Sequence, residues 1–481
     1  MAKPRRNQSA KHTTLEQTIR KATRQALHDI GESTPEAAWV GNKVQWPVTC
    51  TVGPGLEGAI ACESSVGYVN GARGNLIYRG YDVVELCESS TFEEVAFLLL
   101  YGDLPTRREF ESFNQRLVQY RFLPHTLRMM MSSPLEQMHP MAALRLGTIL
   151  LRQRLSWRDQ DAGEPEESEA IAADEDTVPS EESEQQGESR AEYQFRLWPA
   201  DKPQNVRKSA DNSAGIQTCL RLISGIATLT AAIARIRNEK LPIDPDPSLG
   251  YAANLLYMMH GIRPSPEEAR ILDIALILHA DHGMNASTFA AMVVASTMAD
   301  IYASVTAGIG ALSGPLHGGA NEAVIEQLQA IGDPSNVKAW VVKTLRNKQK
   351  VMGFGHRVYK AYDPRARILG PLAKHLSGHP SIAGMYQTAT TLEKEVVAAL
   401  GRKKAIFPNV DFYSGLVYQA LGIPLPMFTP IFAVSRMAGW TARVFEYLKN
   451  NRIFRPRAIY TGPMDLAYVP MNQRNETGEN T

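Results

Sequence analysis

Apolar residues recur at helical spacing through nearly the whole second half of this chain. Segments with that spacing after Ser248 are 248–260, 265–279, 285–308, 320–330, 334–347, 390–400, 412–421 and 427–447. Strand-like alternation of apolar and polar residues is scarce there. Several of these segments are apolar on every face, which is typical of helices buried inside a large bundle. The sequence therefore predicts a mainly α fold.

The first half of the chain adds shorter elements. The sequence GARGNLIYRGYDVVEL predicts a hairpin or two short strands, and TFEEVAFLLLYGDLP predicts a helix that Thr91 caps and that ends near Gly102. Helical spacing then continues in 107–118, 140–154 and 216–237.

Charge is distributed unevenly along the sequence. Residues 159–192 hold fourteen acidic residues and one basic residue, so the net charge of +1 divides into −13 for this stretch and +14 for the remainder. The surrounding segment, 158–213, is too polar to offset the entropy cost of ordering it. We predict a disordered acidic insert within one domain, which is either a solvated spacer or a partner-binding segment.

The first 48 residues are predicted to be a basic tail and a candidate targeting segment. Residues 1–15 contain four bases and no acid, and 13–30 has the pattern of an amphipathic helix. This composition is typical of a mitochondrial transit peptide, and a disordered basic tail is the alternative. The location is therefore predicted as mitochondrial or cytoplasmic, without a decision between them.

Composition argues against several classes of protein. The four cysteines form no CxxC pair, which disfavours a disulfide scaffold or a zinc module. Two uncharged stretches, 283–299 and 301–321, are too rich in Gly, Ala, Ser and Thr for membrane helices. No recognised DNA- or RNA-binding motif accompanies the basic residues. We expect neither a membrane nor a nucleic acid as a partner.

Histidines cluster in the most glycine-rich part of the chain. His279 and His282 have a spacing that could suit a metal, but HADHG lacks the Glu of HExxH, so substrate hydrogen bonding or a core histidine is preferred. His317 stands in LSGPLHGGANEAV, where glycines predict a tight turn before a helix beginning near Ala320. That turn either holds His317 against a small substrate or is purely structural.

A second histidine loop is basic. His356 lies in VMGFGHRVYKAYDPRA, where Gly353 and Gly355 free the backbone and four bases, Lys360 and Arg365 among them, surround the histidine. Such a loop suits an anionic ligand, and a solvated basic loop is the alternative.

Three further positions stand out near the C-terminus. Asp411 is a lone acid in the apolar and aromatic run FPNVDFYSGLVY. It is either the cap of a helix starting at Phe412 or a general base whose pKa burial would raise. Arg436 lies on the apolar face of a predicted helix, where an arginine usually has a buried anion to pair with. Arg455 and Arg457 follow in IFRPRAIYTG.

The segments GPLHGGANEAV, MGFGHRVYKAYDPRA, PNVDFYSG and RPRAIYTG, in this order, resemble the citrate synthase family. The resemblance is to the bacterial-type branch, with its 2-methylcitrate synthases and fungal alkylcitrate synthase-like paralogues, and covers about 55–154 and 216–474. It implies an acyltransferase that condenses an acyl-CoA with oxaloacetate to citrate or an alkylcitrate and releases CoA. The resemblance also implies a role in the tricarboxylic acid cycle or in secondary metabolism. It implies that no metal or redox cofactor is needed.

The resemblance also implies roles for individual residues. Asp411 matches the base, His317 the donor to the enolate oxygen and His356 the group that polarises the ketone. The residues that match the oxaloacetate ligands are His282, Arg365, Arg436 and, from a neighbouring subunit, Arg455, so a homodimer is implied. Lys360, Gly353 and Gly355 would lie near CoA.

The implied fold has two helical domains with the active site in the cleft between them. The large domain would comprise 49–317 and 417–481 and contain the acidic insert, and the small domain would comprise 318–416. Closure of the cleft would exclude water until condensation is complete.

Three positions depart from the family's pattern, one of them Ser435, which directly precedes Arg436. Gly283 stands where an acid usually follows the second histidine, and Arg443 stands where a histidine is common. These departures favour a specialised paralogue over the housekeeping enzyme. A non-catalytic paralogue that binds CoA or a dicarboxylate is the competing hypothesis, against which the complete catalytic set argues.

Overall fold

The computed structural model describes residues 6–30, 41, 46–123, 137–154 and 214–474. The predicted acidic insert at 158–213 lies outside the described residues, as do 1–5, 31–40 and 42–45 of the predicted basic tail.

Helices dominate the structure, which confirms the predicted fold class. The helices are α1 Arg6–His28, α2 Val83–Ser89, α3 Phe92–Tyr101, α4 Arg107–Gln119, α5 Pro140–Leu150, α6 Ala214–Ile236, α7 Tyr251–His260, α8 Pro266–His279, α9 Ala286–Ser296, α10 Ile301–Leu312, α11 Ala320–Ile331, α12 Val337–Arg346, α13 Pro364–His375, α14 Ala383–Val396, α15 Val410–Ala420 and α16 Phe428–Leu448. Helix α14 continues through a π-helical turn, Val397–Gly401, and a last turn, Arg402–Lys404. Shorter 3-10 turns lie at Pro54–Leu56, Leu151–Arg154, Pro334–Asn336, Leu376–Gly378, Leu425–Met427 and Met471–Gln473.

A small antiparallel sheet precedes α2. Its strands are β1 Gly67–Asn70, β2 Asn75–Tyr78 and β3 Tyr81–Asp82, in that order. The predicted two short strands are β2 and β3, which pair antiparallel, whereas β1 lies before the segment that predicted them and pairs with β2. The VVEL sequence belongs to α2, because the Asp82 carboxylate accepts the N–H of Val84 and caps a helix there.

Helix caps set several of the predicted boundaries. The Thr91 hydroxyl accepts the N–H of Glu94 at the start of α3, and Gly102 ends that helix with a φ of 102°. Helices α4 and α8 begin with capping boxes, in which Thr106 pairs with Glu109 and Ser265 with Glu268.

The predicted single helix at 285–308 is wrong. The chain forms α9 and α10 instead, because Met298 adopts a φ of 65° and Asp300 then caps α10 by accepting the N–H of Ala303. Helix α13 has no predicted counterpart, and the helix predicted at 390–400 begins earlier, at Ala383.

Helix α16 lies at the centre of the core. It packs against α3, α6, α8, α9 and α10, and nearly every side chain from Phe428 to Phe445 is buried. A helix buried on every face is what the continuous apolar character of this segment predicts. It carries Arg436 and Arg443 into the interior.

Helices α11 to α15 pack largely on one another, with α13 against α15, α11 against α15 and α14, and α12 against α14. This packing brings the start of α13, which carries Arg365, beside the start of α15, which carries Asp411.

Helix α1 packs against both α13 and α2. Its Leu15, Ile19, Ala22 and Ala26 are buried on one face. Beyond its end, the Asp29 carboxylate pairs with the guanidinium of Arg367 on α13 at 2.6 Å. Residues 14–28 therefore form the predicted amphipathic helix and not a disordered tail.

One described helix, α6, is long and apolar enough to cross a membrane by the criteria of length and composition. However, 83% of its most apolar window is buried inside the protein, as in the core helix of a globular fold.

Candidate active site

Two of the predicted site histidines lie side by side. The ring centroids of His282 and His356 are 5.0 Å apart, and Tyr359 contacts both, with centroid distances of 5.4 Å and 4.8 Å. The Tyr359 hydroxyl lies 3.2 Å from Nε2 of His282. The loop after α8 thus meets the loop before α13, and both contribute side chains to one cluster.

The main chain fixes the tautomer of His356. Its Nδ1 accepts the N–H groups of Val358 and Tyr359 at 3.0 Å and 3.1 Å. A main-chain N–H can only donate, so the ring proton is on Nε2. Burial, reinforced by the charge of Arg365, lowers the pKa of His356 to about 4. At neutral pH, His356 is therefore an uncharged imidazole with Nε2–H available as a donor.

His317 has the opposite tautomer. It lies in a turn between α10 and α11, where its N–H donates to the carbonyl of Gly314 at 2.9 Å. The Ser287 N–H donates to Nε2 of His317 at 3.3 Å, which assigns the ring proton to Nδ1. Burial and the charge of Arg436 lower the pKa of His317 to about 4.

The glycine beside His317 is required by packing. A Cβ at Gly318 would lie 2.0 Å from the carbonyl oxygen of Leu312, so no larger residue fits. The predicted tight turn and the helix start at Ala320 are both confirmed.

Asp411 lies in the first turn of α15 but does not cap it. The cap is Asn409, whose Oδ1 accepts the N–H of Asp411 at 3.0 Å. The alternative of a helix starting at Phe412 with Asp411 as its cap is therefore wrong, and the Asp411 carboxylate has no capping role. Burial raises the pKa of Asp411 to about 6, against the opposing effect of the Arg365 charge.

Arg365 is held by a neighbouring carboxylate. Its Nε and Nη2 donate to the two oxygens of Asp363 at 3.0 Å and 2.7 Å, and both side chains are buried. Asp363 also caps α13 and accepts the N–H of Val410 at 3.2 Å. One carboxylate therefore links Arg365 to the helix that carries Asp411.

Arg436 is buried without a counter-ion among the described residues. Its Nε donates to the carbonyl oxygen of His279 at 2.7 Å, and its guanidinium lies 4.9 Å from the centroid of the Phe432 ring. No carboxylate that the structure describes forms an ion pair with it. Burial lowers its pKa to about 10. A buried guanidinium without a carboxylate is costly, and an anionic ligand would offset that cost.

At least one of the two arginine charges acts on each of these groups. Burial is the main reason why the pKa of His282 lies well below its ordinary value, and Arg365 and Arg436 lower it further. Arg365 and Arg436 also oppose the raised pKa of Asp411. The site is therefore a positively charged centre lined by neutral histidines and one carboxylate of raised pKa.

His279 is bonded within its own helix and packed against an aromatic side chain. Its Nδ1 is hydrogen-bonded to the carbonyl of Ala275, its ring contacts Phe432, and burial lowers its pKa to about 3. It is a neutral core histidine, one of the two preferred interpretations. Among the residues that the structure describes, no group of three or more His, Cys, Asp or Glu side chains could hold a metal ion.

The glycines before His356 join two loops. Gly353 accepts the N–H of Asn409 and Gly355 donates to the carbonyl of Phe407, both at 2.9 Å. With a φ of 79°, Gly353 leaves no space for a Cβ, which would lie 2.9 Å from the Phe412 ring. Lys360 is exposed nearby. The two glycines thus support the loop that precedes Asp411 through main-chain hydrogen bonds.

Arg455 is the predicted site residue that this chain does not bring to the cluster. It lies on an exposed C-terminal segment after α16.

The sequence did not single out Tyr359, Asp363 or Ser287. The Asp363–Pro364 pair is a recognisable cap followed by proline at the first helical position, and it could have located α13. Asn285 likewise caps α9 and so positions Ser287 beside His317. Tyr359 carries no comparable signal, because its importance depends on contacts with His282 across the fold.

Activity should fall below about pH 6. The base role that the resemblance implies for Asp411 requires an ionised carboxylate, so its pKa of about 6 predicts an acidic limb there, with kcat/KM falling tenfold per pH unit below it. The histidines stay neutral above about pH 5 and should add no alkaline limb. A profile of kcat/KM from pH 4.5 to 8.5, with melting temperature recorded at each pH, measures this. An acidic limb centred at pH 4 in folded protein would contradict the assignment of Asp411.

Comparison with protein families matches the chain to the family model described as citrate synthase, C-terminal domain, over residues 55–182 and 189–457. A citrate synthase of Synechocystis sp. is 42% identical over 425 residues, which cover 87% of this chain and 93% of that protein. A 2-methylcitrate synthase of Shewanella oneidensis is 34% identical over 425 residues, which cover 88% and 98%.

The fold is also found among solved structures. The ternary complex of carboxymethyl coenzyme A and oxaloacetate with citrate synthase from Thermoplasma acidophilum aligns with a TM-score of 0.73 at 31% sequence identity. The alignment covers 89% of this chain and all of that one.

Proposed function

This chain belongs to the citrate synthase family, and from that premise we propose that the described histidine and arginine cluster is its active site. The family relationship establishes the reaction, an acyl transfer in which an acyl-CoA condenses with oxaloacetate. The observation that carries the site assignment is Arg436, which is buried with no ion pair to any carboxylate that the structure describes and whose charge acts on His282, His317 and Asp411. The competing hypothesis of a non-catalytic paralogue has no support among these relatives.

In the proposed mechanism, Asp411 removes a proton from the α-carbon of the acyl-CoA. A C–H next to a thioester is a weak acid, so a base with a raised proton affinity is needed. Burial supplies that affinity, since the pKa of about 6 lies above the ordinary carboxyl range yet leaves Asp411 ionised at neutral pH. Because Asn409 caps α15, the Asp411 carboxylate is available for this role.

His317 would donate Nδ1–H to the thioester oxygen as it becomes an enolate oxygen. The Ser287 N–H holds Nε2 as the acceptor, so the proton on Nδ1 is aimed before the reaction begins. A preorganised neutral donor stabilises the developing charge without a reorganisation cost during the step.

His356 would polarise the ketone of oxaloacetate through Nε2–H. The two main-chain donors to Nδ1 prevent the other tautomer. The enolate carbon then bonds to the ketone carbon, the C=O π bond breaks, and the resulting alkoxide takes the Nε2 proton of His356. The proton that Asp411 removed from the α-carbon balances this one, because its return to the imidazole restores both groups. Water adds to the thioester carbonyl of the product, and CoA leaves as the thiol. Each step is an acid–base or electrostatic one, so the proposal requires no metal or redox cofactor.

Arg365, Arg436 and His282 would bind the two carboxylates of oxaloacetate. The positive charge of Arg365 adds to the effect of burial on the Arg436 pKa, so the two cations repel each other in the unliganded site. A dianion between them removes this repulsion and pairs with both. In the proposed domain division, Arg365 belongs to the small domain, 318–416, and Arg436 to the large domain, 49–317 and 417–481. Oxaloacetate would therefore favour closure of the cleft.

The CoA part of the substrate would extend over Lys360 and the loop at Gly353 and Gly355. The exposed ammonium of Lys360 suits a phosphate, and its own N–H is fixed to the carbonyl of Gly71 at 2.9 Å.

A homodimer is proposed on two grounds. The segment after α16 carries exposed apolar side chains, of which Ile459 is 92% and Tyr468 80% exposed. Exposed apolar patches of this kind mark protein interfaces, and a second copy of this chain is the commonest partner. Arg455 lies on this segment and would reach the neighbouring subunit's oxaloacetate. The compartment is proposed as mitochondrial or cytoplasmic, with the four basic residues in 1–15 supporting the former.

A panel of acyl donors tests the proposed function. Acetyl-, propionyl- and longer acyl-CoA are offered at fixed oxaloacetate, and free thiol is measured. We expect release that depends on oxaloacetate and exceeds that of Asp411→Asn by at least about 100-fold with the best donor. Reactions without oxaloacetate are the control for simple thioester hydrolysis. Release that ignores oxaloacetate, or no release with any donor, would refute the proposal.

A further inference from the structure

We propose that the buried pair of Arg443 and Asp281 is a positioning device that holds His282 toward oxaloacetate. The inference rests on the proposed function and extends it to two residues that do not themselves contact the substrate. Asp281 directly precedes His282 in the chain, and Arg443 lies on α16, two helical turns after Arg436.

The pair has the geometry of a strong ionic contact. Nε and Nη2 of Arg443 each donate to one oxygen of Asp281 at 2.7 Å, and their side chains are 3% and 0% exposed. Arg443 also donates to the Gly67 carbonyl at 3.0 Å and the Ser64 hydroxyl at 3.1 Å. Its guanidinium is therefore fixed on three sides.

The Asp281 main chain is fixed as well. The Tyr78 hydroxyl donates to the Asp281 carbonyl at 2.9 Å and lies 3.1 Å from the Asp281 N–H, which donates to it. After His282, the N–H of Gly283 returns to the Asp281 carboxylate at 3.0 Å. His282 is thus flanked by two residues whose positions both depend on this carboxylate.

Three successive turns of α16 contact three successive residues of the segment 279–283, the histidine loop. Arg436 donates to the carbonyl of His279, the Gly439 N–H to that of Ala280 at 3.1 Å, and Arg443 to the carboxylate of Asp281. A Cβ at Gly439 would lie 2.3 Å from the Ala280 oxygen, so the approach requires glycine there. These contacts align Arg436 with His282, because a shift of the loop along α16 would break all three.

The electrostatics agree with this geometry. Burial alone would raise the pKa of Asp281, but the charge of Arg443 holds it below its ordinary value. Asp281 therefore stays an anion, and loss of Arg443 would leave a buried charge unpaired, which drives local rearrangement. Gly283 and Arg443, two of the three departures from the family pattern, meet at this one carboxylate.

Arg443→Met tests the device, with Arg270→Met as the matched control. Arg270 forms a similar partly buried pair with Asp273 at 2.7 Å, two turns before the histidine loop on α8. Both variants should lose thermal stability. Only Arg443→Met should weaken oxaloacetate binding, measured by calorimetry, by about 10- to 100-fold, since small displacements of a positioning group cost that much. Its KM for acyl-CoA should stay within about twofold of wild type under the same reasoning.

Two further variants keep the test decisive. Arg443→Lys retains the charge without the bidentate fork and should restore part of the affinity. Tyr78→Phe removes the hydroxyl that holds the Asp281 main chain, and it should also weaken oxaloacetate binding. It serves as the test if Arg443→Met does not fold. Oxaloacetate affinity equal to that of Arg270→Met would overturn the inference if found in Arg443→Met or, where that variant does not fold, in Tyr78→Phe. Oxaloacetate binding is measured without turnover. A wild type that binds oxaloacetate but releases no CoA would therefore refute the proposed reaction and leave the positioning role of Arg443 and Asp281 standing.

Discussion

Asp411→Asn should lower kcat by about 10²–10⁴-fold while leaving oxaloacetate affinity within a few-fold of wild type. The amide has nearly the same shape as the carboxylate but cannot accept the α-proton. Asn409 still caps α15, so the helix that carries position 411 should be retained. Steady-state thiol release gives kcat, and calorimetry gives oxaloacetate affinity.

Asp273→Asn is the matched control for this prediction. Burial also raises the pKa of Asp273, which lies on α8 and contacts Arg270 and the main chain of Phe92 rather than the histidine cluster. Its replacement should change the melting temperature but leave kcat near the wild-type value. A comparable loss of kcat in both variants would mean that the effect of Asp411→Asn reflects general damage to the fold rather than the loss of a base.

Arg436→Met should weaken oxaloacetate binding by at least about 30-fold, the factor that corresponds to 2 kcal/mol for truncating one partner of a buried charged contact. The methionine fills a similar volume but offers no donor to a carboxylate. Oxaloacetate should raise the melting temperature of the wild type and should fail to do so for the variant at the same concentration.

Arg121→Met provides the comparison for this second prediction. Arg121 is a buried arginine that donates to a carbonyl, that of Leu249 at 2.6 Å, and lies outside the histidine cluster. That variant should keep the full oxaloacetate-dependent shift. If Arg436→Met kept it too, Arg436 would not be an oxaloacetate ligand.

Local sequence signals predicted much of the fold. Thr91, Gly102 and the glycines around His317 act within a few residues of themselves, so their consequences can be read from neighbouring positions. The errors are also local but finer. The helix starts at Val410 instead of Phe412, so Asn409 is its cap. The Asp411 carboxylate is therefore not used in capping and is available as a base.

Long-range contacts explain what the sequence could not predict. Asp281 and Arg443 are 162 residues apart, and Tyr359 is 77 residues from His282. Nothing near either position indicates its partner, because the packing of α16 brings Arg443 to Asp281 and the meeting of two loops brings Tyr359 to His282. The family resemblance supplied the residues expected to touch substrate, whereas the contacts that orient them required the structure.

The buried face of α1 limits how a leader peptide could be removed. Leu15 and Ile19 are core residues packed with the rest of the fold, and α1 lies against the helix that carries Arg365. A processing protease that cut after residue 30 would expose apolar surface on that helix and remove the Asp29 partner of Arg367. Any cleavable leader compatible with this fold must therefore end before Leu15, and an N-terminal sequence of the mature protein would reveal it.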